Sequence, residues 1–542
     1  MMRFLYHSIE QSTQTCSLTN KRYIPLDTLQ EKITWPAVKK SLPDSDLESK
    51  VQVARRVIAI IILIFQSDAP NTVKKVLSED LIDEDLPLSR SNELGNGDHT
   101  LSQKLQSHSG RKRFDAFMAW ESYEVDLFLD KQWMFLEPQL KLDPSGMIDI
   151  RLESQCALEM AFSSCVEVSK TPHSTVYKGI LRPGLQAGLG NRASSLRHLL
   201  HISADADINL QANAGNPGPV CIAVKIFNQR QIREFDQEKK VLSEIRSKGI
   251  KSDHLIVHLA VCDQVSCIVF PWAEGGDLWE FWQREGRSTP SHFLWALKQM
   301  AGLAQALEVL HSVNTRHGDL KPANILLYFN QTEGSILKIA DLGIARGHNQ
   351  ATEFRRAGTI TSASTQAYQG PEVDTKEEPR SRRYDCWSMG CIVLEFVVWL
   401  LYDFTAIESF WQARDTRTHA YYQSKSSYRR DAEPWEKAEV HPKVYEAMNC
   451  LRKDPRCRDT ALKDLVDLVE DNLLKIHSQH RFNAFDLHQK LEAILQCAQD
   501  DESFLEKVIG NGTHVFPLIF NYPLSHEITE TTFQQSLQPL KI

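Results

Sequence analysis

The chain has 542 residues, of which 42% are hydrophobic and 24% charged, and a net charge of −8. That length exceeds one ordinary domain and suggests roughly two to four, with the composition of a soluble globular protein. The mildly acidic balance disfavours nucleic acid as a partner.

Residues 1–86 read as a helical N-terminal region. Leu47 to Phe65 is mostly helix-forming, with Pro70 expected as its stop, and Val73 to Leu81 suggests another helix. The apolar run Val57 to Phe65 is too short to span a bilayer and lies too far from the N-terminus for a signal peptide. A second run, Cys391 to Tyr402, is similarly short and contains Glu395. Both are expected as buried helices, which predicts no membrane association and a place in the cytoplasm or nucleus. Eleven scattered cysteines without a C-x-x-C pair read as reduced intracellular thiols.

Residues 87–113 lose periodicity and read as a linker; Arg111-Lys112-Arg113 is either a short nuclear signal or part of a solvated linker. Residues 114–157 form a connecting segment with Phe114, Phe117, Trp120, Trp133 and Phe135. No chemical motif lies in 1–150, so this region is expected to pack, or to dock a regulatory partner. From about 158 the pattern changes. Strands are expected at Cys165–Val168 and Thr175–Ile180, then a surface insertion at 182–219 rich in Gly, Ala, Asn and Ser. A strand at Val220–Phe227, a helix from Gln229 to about Lys248 and a strand at Ser266–Phe270 follow. Helices then dominate to about 497, before a polar tail at 498–542.

Lys225 stands alone as a charge in an otherwise apolar strand and needs an acid partner. Glu238 falls on the inward face of the next helix, at helical spacing from Phe235 and Leu242, and is the candidate. Further on stands Arg316-His317-Gly318-Asp319-Leu320-Lys321-Pro322-Ala323-Asn324-Ile325-Leu326, followed by Ile339-Ala340-Asp341-Leu342-Gly343. A hairpin of Ala323–Phe329 with Ser335–Ala340 returns Asp341 beside Asp319 and Asn324. Hard oxygen ligands then converge, as magnesium on phosphate requires, and Lys321 adds a point charge for a phosphoryl group.

These motifs resemble the catalytic loop and metal-binding motif of the eukaryotic protein kinases, serine/threonine type. Ala223-Val224-Lys225 looks like the phosphate-anchoring strand and Glu238 like its helix partner. Gly370-Pro371-Glu372 resembles the end of an activation segment, Asp385-Cys386-Trp387-Ser388-Met389-Gly390 the start of the large buried helix, and Arg481 the partner of Glu372. The resemblance covers roughly 158–497, and the His-Gly-Asp wording is also similar to a group of fungal kinase-domain proteins.

The resemblance implies an α+β bilobal fold: a small antiparallel sheet lobe over a larger helical lobe, with a helical N-terminal extension. It implies a transferase using ATP and Mg2+ on a protein serine or threonine hydroxyl. Asp319 would orient the hydroxyl and accept its proton, Lys321 would neutralise the moving phosphoryl group, and Asn324 and Asp341 would hold magnesium. Lys225, fixed by Glu238, would position the phosphates. Val176, Ala223 and Leu326 would sandwich the adenine, with Phe270 behind it. Trp272 and Ala273 would belong to the hinge, and Asp277 would reach the ribose.

Two departures stand out. The phosphate-covering loop reads Ser169-Lys170-Thr171-Pro172-His173-Ser174-Thr175-Val176, with none of the three expected glycines. This predicts weaker nucleotide binding or a lid that closes poorly, unless Lys170 or His173 compensates with side-chain charge. Gly318 replaces the arginine that such kinases pair with an activation-segment phosphate, so activity is not expected to require that phosphate. The rivals are a small-molecule phosphotransferase, disfavoured by Lys321 and by Gly370-Pro371-Glu372, and a pseudokinase acting as an interaction scaffold.

Overall fold

The computed structural model describes residues 2–16, 21–42, 45–91, 104–136, 139–142, 148–151, 162–181, 221–228, 230, 232–249, 252–285, 290–330, 334–342, 346–347, 366–373, 381–414, 418–429, 431–501 and 504. The 182–219 insertion, the activation-segment threonines and serines at 352–365 and the end of the tail lie outside the described residues.

The N-terminal region folds around α2 (Arg55–Phe65), packed by α1 (Met2–Gln11), α3 (Ala69–Ser78) and α4 (Ser122–Lys131). Val57 through Ile62 are all buried, as an apolar run on every face of a helix demands. Pro70 does not end the preceding helix. It sits in the first turn of α3, where its missing N–H costs nothing, and the break falls earlier, at Gln66 with φ of 48°. The stretch expected as a linker supplies a three-stranded ladder, Ser89–Arg90, Leu105–Gln106 and Arg113–Phe114. Two-residue strands are too short to leave a periodic signal.

The small lobe is a seven-stranded sheet. In chain order its strands are β1 (Gln139–Leu142), β2 (Ile148–Arg151), β3 (Phe162–Lys170), β4 (Ser174–Leu181), β5 (Cys221–Phe227), β6 (Ala260–Cys262) and β7 (Cys267–Pro271). They lie in the order β1-β2-β6-β7-β5-β4-β3. The five strands from β3 onward are antiparallel neighbours, and the 114–157 segment adds β1 and β2, with β2 parallel to β6. Helix α5 (Ile232–Ser247) follows β5.

Alternation along the strands sorts residues between two cores. Val176, Ala223, Phe227, Ile268 and Phe270 face the cleft and join the core of the large lobe. Ile222, Val224, Ala260, Cys262, Cys267 and Val269 face the other way, into one continuous core with the N-terminal helices. The N-terminal region therefore covers the back of the sheet. This explains why β5 is apolar on both faces.

The large lobe carries α6 (Leu278–Glu285), α7 (Pro290–Ser312), the hairpin β8 (Ile325–Asn330) and β9 (Gly334–Ile339), α8 (Arg383–Leu401), α9 (Phe404–Ala413) and α10 (Ala484–Asp500). Helix α8 is long and apolar enough to cross a membrane by composition, and it lies wholly buried inside the lobe.

Lys338 of β9 is an energetic oddity. It is buried opposite Leu326, with its amine 5.4 Å from the Tyr328 ring centroid. Burial pushes its pKa down to about 8, against the pull of Asp253. The folded state thus holds this proton more weakly than the unfolded chain, so stability should rise as pH climbs from about 8 towards 10.5. Lys338→Met should stabilise the protein at pH 7 by on the order of 2 kcal/mol, and the gain should fade by pH 10. Chemical denaturation at both pH values checks this.

Candidate active site

Lys225 lies at the centre. Strand β5 turns it into the cleft, where Nζ is 2.8 Å from Glu238 Oε2 and 2.8 Å from Asp341 Oδ1. All three groups are buried. Burial disfavours the lysine's charge, but Asp341 and Glu238 together hold its pKa above the ordinary value. Burial likewise opposes charge on Asp341, yet Lys225 keeps it below the usual carboxylate range. Glu238 is pushed up to about 7 by burial, against the pull of Lys225. The ammonium is therefore matched mainly by Asp341. Asp341 adopts a φ of 60°, a left-handed backbone that costs a non-glycine residue roughly 1 kcal/mol.

The loop before β8 supplies the rest. Asn324 Nδ2 donates to the Asp319 carbonyl at 2.8 Å and to Asp319 Oδ2 at 3.1 Å. Lys321 Nζ is 3.0 Å from the same carboxylate oxygen. Asn324 Oδ1 is buried without a hydrogen-bond partner among the described residues. An orphaned amide oxygen, on a residue whose carbonyl accepts the Ala340 N–H next to Asp341 at 2.9 Å, suits a hard divalent cation, so the residues fit magnesium.

Buried scaffolding that sequence reading did not anticipate holds this loop. Asp385, at the start of α8, accepts the backbone N–H groups of His317 and Gly318 at 2.8 Å each, and pairs with His311 Nε2 at 2.8 Å. His317 Nε2 lies 2.9 Å from the Ala340 carbonyl, and its Nδ1 accepts from the Asp319 N–H at 3.2 Å, which assigns the ring proton to Nε2. Gly318 has φ of 83°, a conformation that suits glycine and would strain the arginine it replaces.

The side chains expected around the adenine lie close together. Val176, Ala223, Phe270, Ala273 and Leu326 are buried in one cluster beneath the hinge. Trp272 is half-buried, with Lys178 Nζ 4.7 Å from its ring centroid. The post-hinge segment is laced to β8 by hydrogen bonds from Gly275 N to Leu327 O and from Leu327 N to Gly276 O, at 3.0 and 2.8 Å. Gly275 permits that approach, because a Cβ there would meet the Leu327 side chain at 2.6 Å. Asp277 is buried, and its Oδ1 accepts the Glu280 N–H at 2.8 Å, so this carboxylate caps α6. Arg481 grips Glu372 with two hydrogen bonds of 2.6 and 2.9 Å, as the motif spacing predicts.

The hairpin between β3 and β4, expected to cover the phosphates, is closed by side chains. Thr171 Oγ1 accepts the N–H groups of His173 and Ser174, and Asn228 Nδ2 donates to the Pro172 carbonyl at 2.6 Å. The sequence announced the missing glycines but not this closure. A hydroxyl that accepts from two and three residues ahead was the available signal.

The protein kinase domain family profile matches residues 218–490, half of the chain. The probable serine/threonine-protein kinase fhkD of Dictyostelium discoideum is 28% identical over 189 residues, 32% of this chain and 24% of that protein. Serine/threonine-protein kinase TIO of Arabidopsis thaliana is 34% identical over 171 residues, 31% of this chain and 12% of that protein. CBL-interacting protein kinase 15 of Oryza sativa subsp. japonica is 28% identical over 194 residues, 35% of this chain and 41% of that protein. The matches thus span less than half the length of these curated relatives.

Proposed function

Because this chain belongs to the protein kinase family, we propose that it transfers the γ-phosphoryl group of ATP to serine or threonine hydroxyls of a protein substrate. One observation carries the reading: Lys225, Glu238 and Asp341 form one set of contacts, Asn324, Asp319 and Lys321 form another, and the backbone hydrogen bond from Ala340 N to Asn324 O at 2.9 Å sets the two side by side. Phosphoryl transfer asks chiefly for positioning and charge stabilisation, and these residue types supply both.

Asn324 Oδ1 and the Asp341 carboxylate are the groups that would hold magnesium. Bound there, the ion supplies positive charge to the phosphate oxygens. Lys225 would meet the α- and β-phosphates, and Glu238 keeps the lysine aimed. Asp319, oriented by Asn324, receives the hydroxyl proton of the substrate. Lys321, beside it, balances charge on the moving phosphoryl group.

Gly318 leaves no arginine at the position that would read a phosphate on the activation segment. Phosphatase treatment of the purified chain should therefore leave its transfer rate intact; a collapse of activity would refute this. The deciding experiment supplies labelled ATP, magnesium and protein substrates, with mass spectrometry to locate modified hydroxyls. A second reading, an ATP-binding scaffold, is favoured by the glycine-free hairpin. Magnesium-dependent stabilisation by ATP without transfer would select it. We place the protein in the cytoplasm or nucleus on its thiol usage; fractionation tests this.

A further inference from the structure

We infer that the phosphate end of the nucleotide is met at this hairpin by the His173 imidazole and not by backbone amides. The inference rests on the kinase reading above and adds the residue that replaces the missing glycines.

The hairpin tip has no amide to spare. The Thr171 N–H donates to the Ser174 carbonyl at 2.9 Å, and Pro172 has no N–H. The His173 and Ser174 N–H groups both donate to Thr171 Oγ1, at 3.2 and 3.0 Å, and that hydroxyl donates to the Ser174 carbonyl at 3.1 Å. Each of these N–H groups is spent inside the turn, so the tip presents no nest of amides to an anion.

The tip is also fixed. Beyond its side-chain bond to Pro172, Asn228 donates its backbone N–H to the His173 carbonyl at 2.9 Å. This clamp sets the imidazole over the first turn of α5, with Nδ1 3.2 Å from Glu234 Oε1. Glu234 lies one helical turn before Glu238, on the same face of α5. Glu238, one turn further along that face, binds Lys225 at 2.8 Å, so the imidazole lies on the side of the helix that carries the phosphate anchor's partner. His173 Nδ1 is buried without a hydrogen-bond partner among the described residues, so Glu234 acts on the ring by charge. In its imidazolium form the ring offers Nε2 as a charged donor while the Glu234 carboxylate balances its charge from the Nδ1 side. A polyphosphate is the complementary ligand.

Calorimetric titration of the full chain with Mg-ATP, Mg-ADP and adenosine tests this. His173→Gln should weaken ATP and ADP by about tenfold, as loss of one charge-assisted hydrogen bond does, and leave adenosine binding unchanged. His173→Lys should restore most of the ATP affinity. Thr171→Gly/Ser174→Gly should release the tip amides, tighten ATP and shrink the cost of His173→Gln. Unchanged or tighter ATP binding by His173→Gln, or an equal loss for adenosine, overturns the inference and leaves the kinase reading standing. A wild-type chain that binds no ATP overturns both.

Discussion

Replacing Asp319 with asparagine should lower phosphate transfer by roughly two to four orders of magnitude, the range expected for removing a proton acceptor from the reacting hydroxyl. ATP binding should persist, because Lys225, Glu238, Asp341 and the adenine pocket are untouched. The neighbours make the test clean. Asn324 also binds the Asp319 carbonyl, which the substitution retains, and Asp385 holds the loop from below. Initial rates and nucleotide titration on the same preparation separate the two effects. A variant that kept more than a tenth of the activity would remove Asp319 from its assigned role.

Deleting residues 1–136 should abolish folding of the remaining chain. The deletion bares Ile222, Val224 and Val269, each at most 3% exposed, together with Ala260, Cys262 and Cys267. Burying one large aliphatic side chain contributes about 1.5–3 kcal/mol, so the three alone account for about 4.5–9 kcal/mol. A domain's whole stability is about 5–15 kcal/mol. The truncated protein should be insoluble or lack a cooperative thermal transition by circular dichroism. A truncated chain that melts cooperatively and binds ATP would show that the kinase lobes stand without the N-terminal region.

The cleft was largely legible in the sequence because its chemistry is carried by consecutive residues. Asp319, Lys321 and Asn324 sit on one loop, and the β8–β9 hairpin register returns Asp341 to them. Lys225 and Glu238 could be paired because a charge on an apolar strand and an acid on the facing side of the next helix constrain each other. The scaffold beneath was not legible. Asp385 is 68 residues from the His317 amide it accepts, and nothing local marks that bond. Asp277 was expected at the ribose, and its hydrogen bond to the Glu280 N–H makes it a helix cap, a role the sequence reading did not give it.

The N-terminal region shows a different kind of gap. Its helices could be read from apolar runs such as Val57–Ile62. Their docking could not, because the complementary surface is split among β5, β6 and β7, each contributing a few alternate residues. The clue was present in β5, whose two apolar faces demand two covers. The strands β1 and β2 gave weaker signals, being four residues each.

Val224 and Lys225 are chain neighbours that look into opposite compartments, one to the N-terminal helices and one to the ion pairs of the cleft. A single peptide unit therefore joins the packing behind the sheet to the ammonium proposed to anchor the nucleotide. A disturbance of that rear packing need travel through no relay to alter the aim of the ammonium, since tilting one strand moves both side chains together.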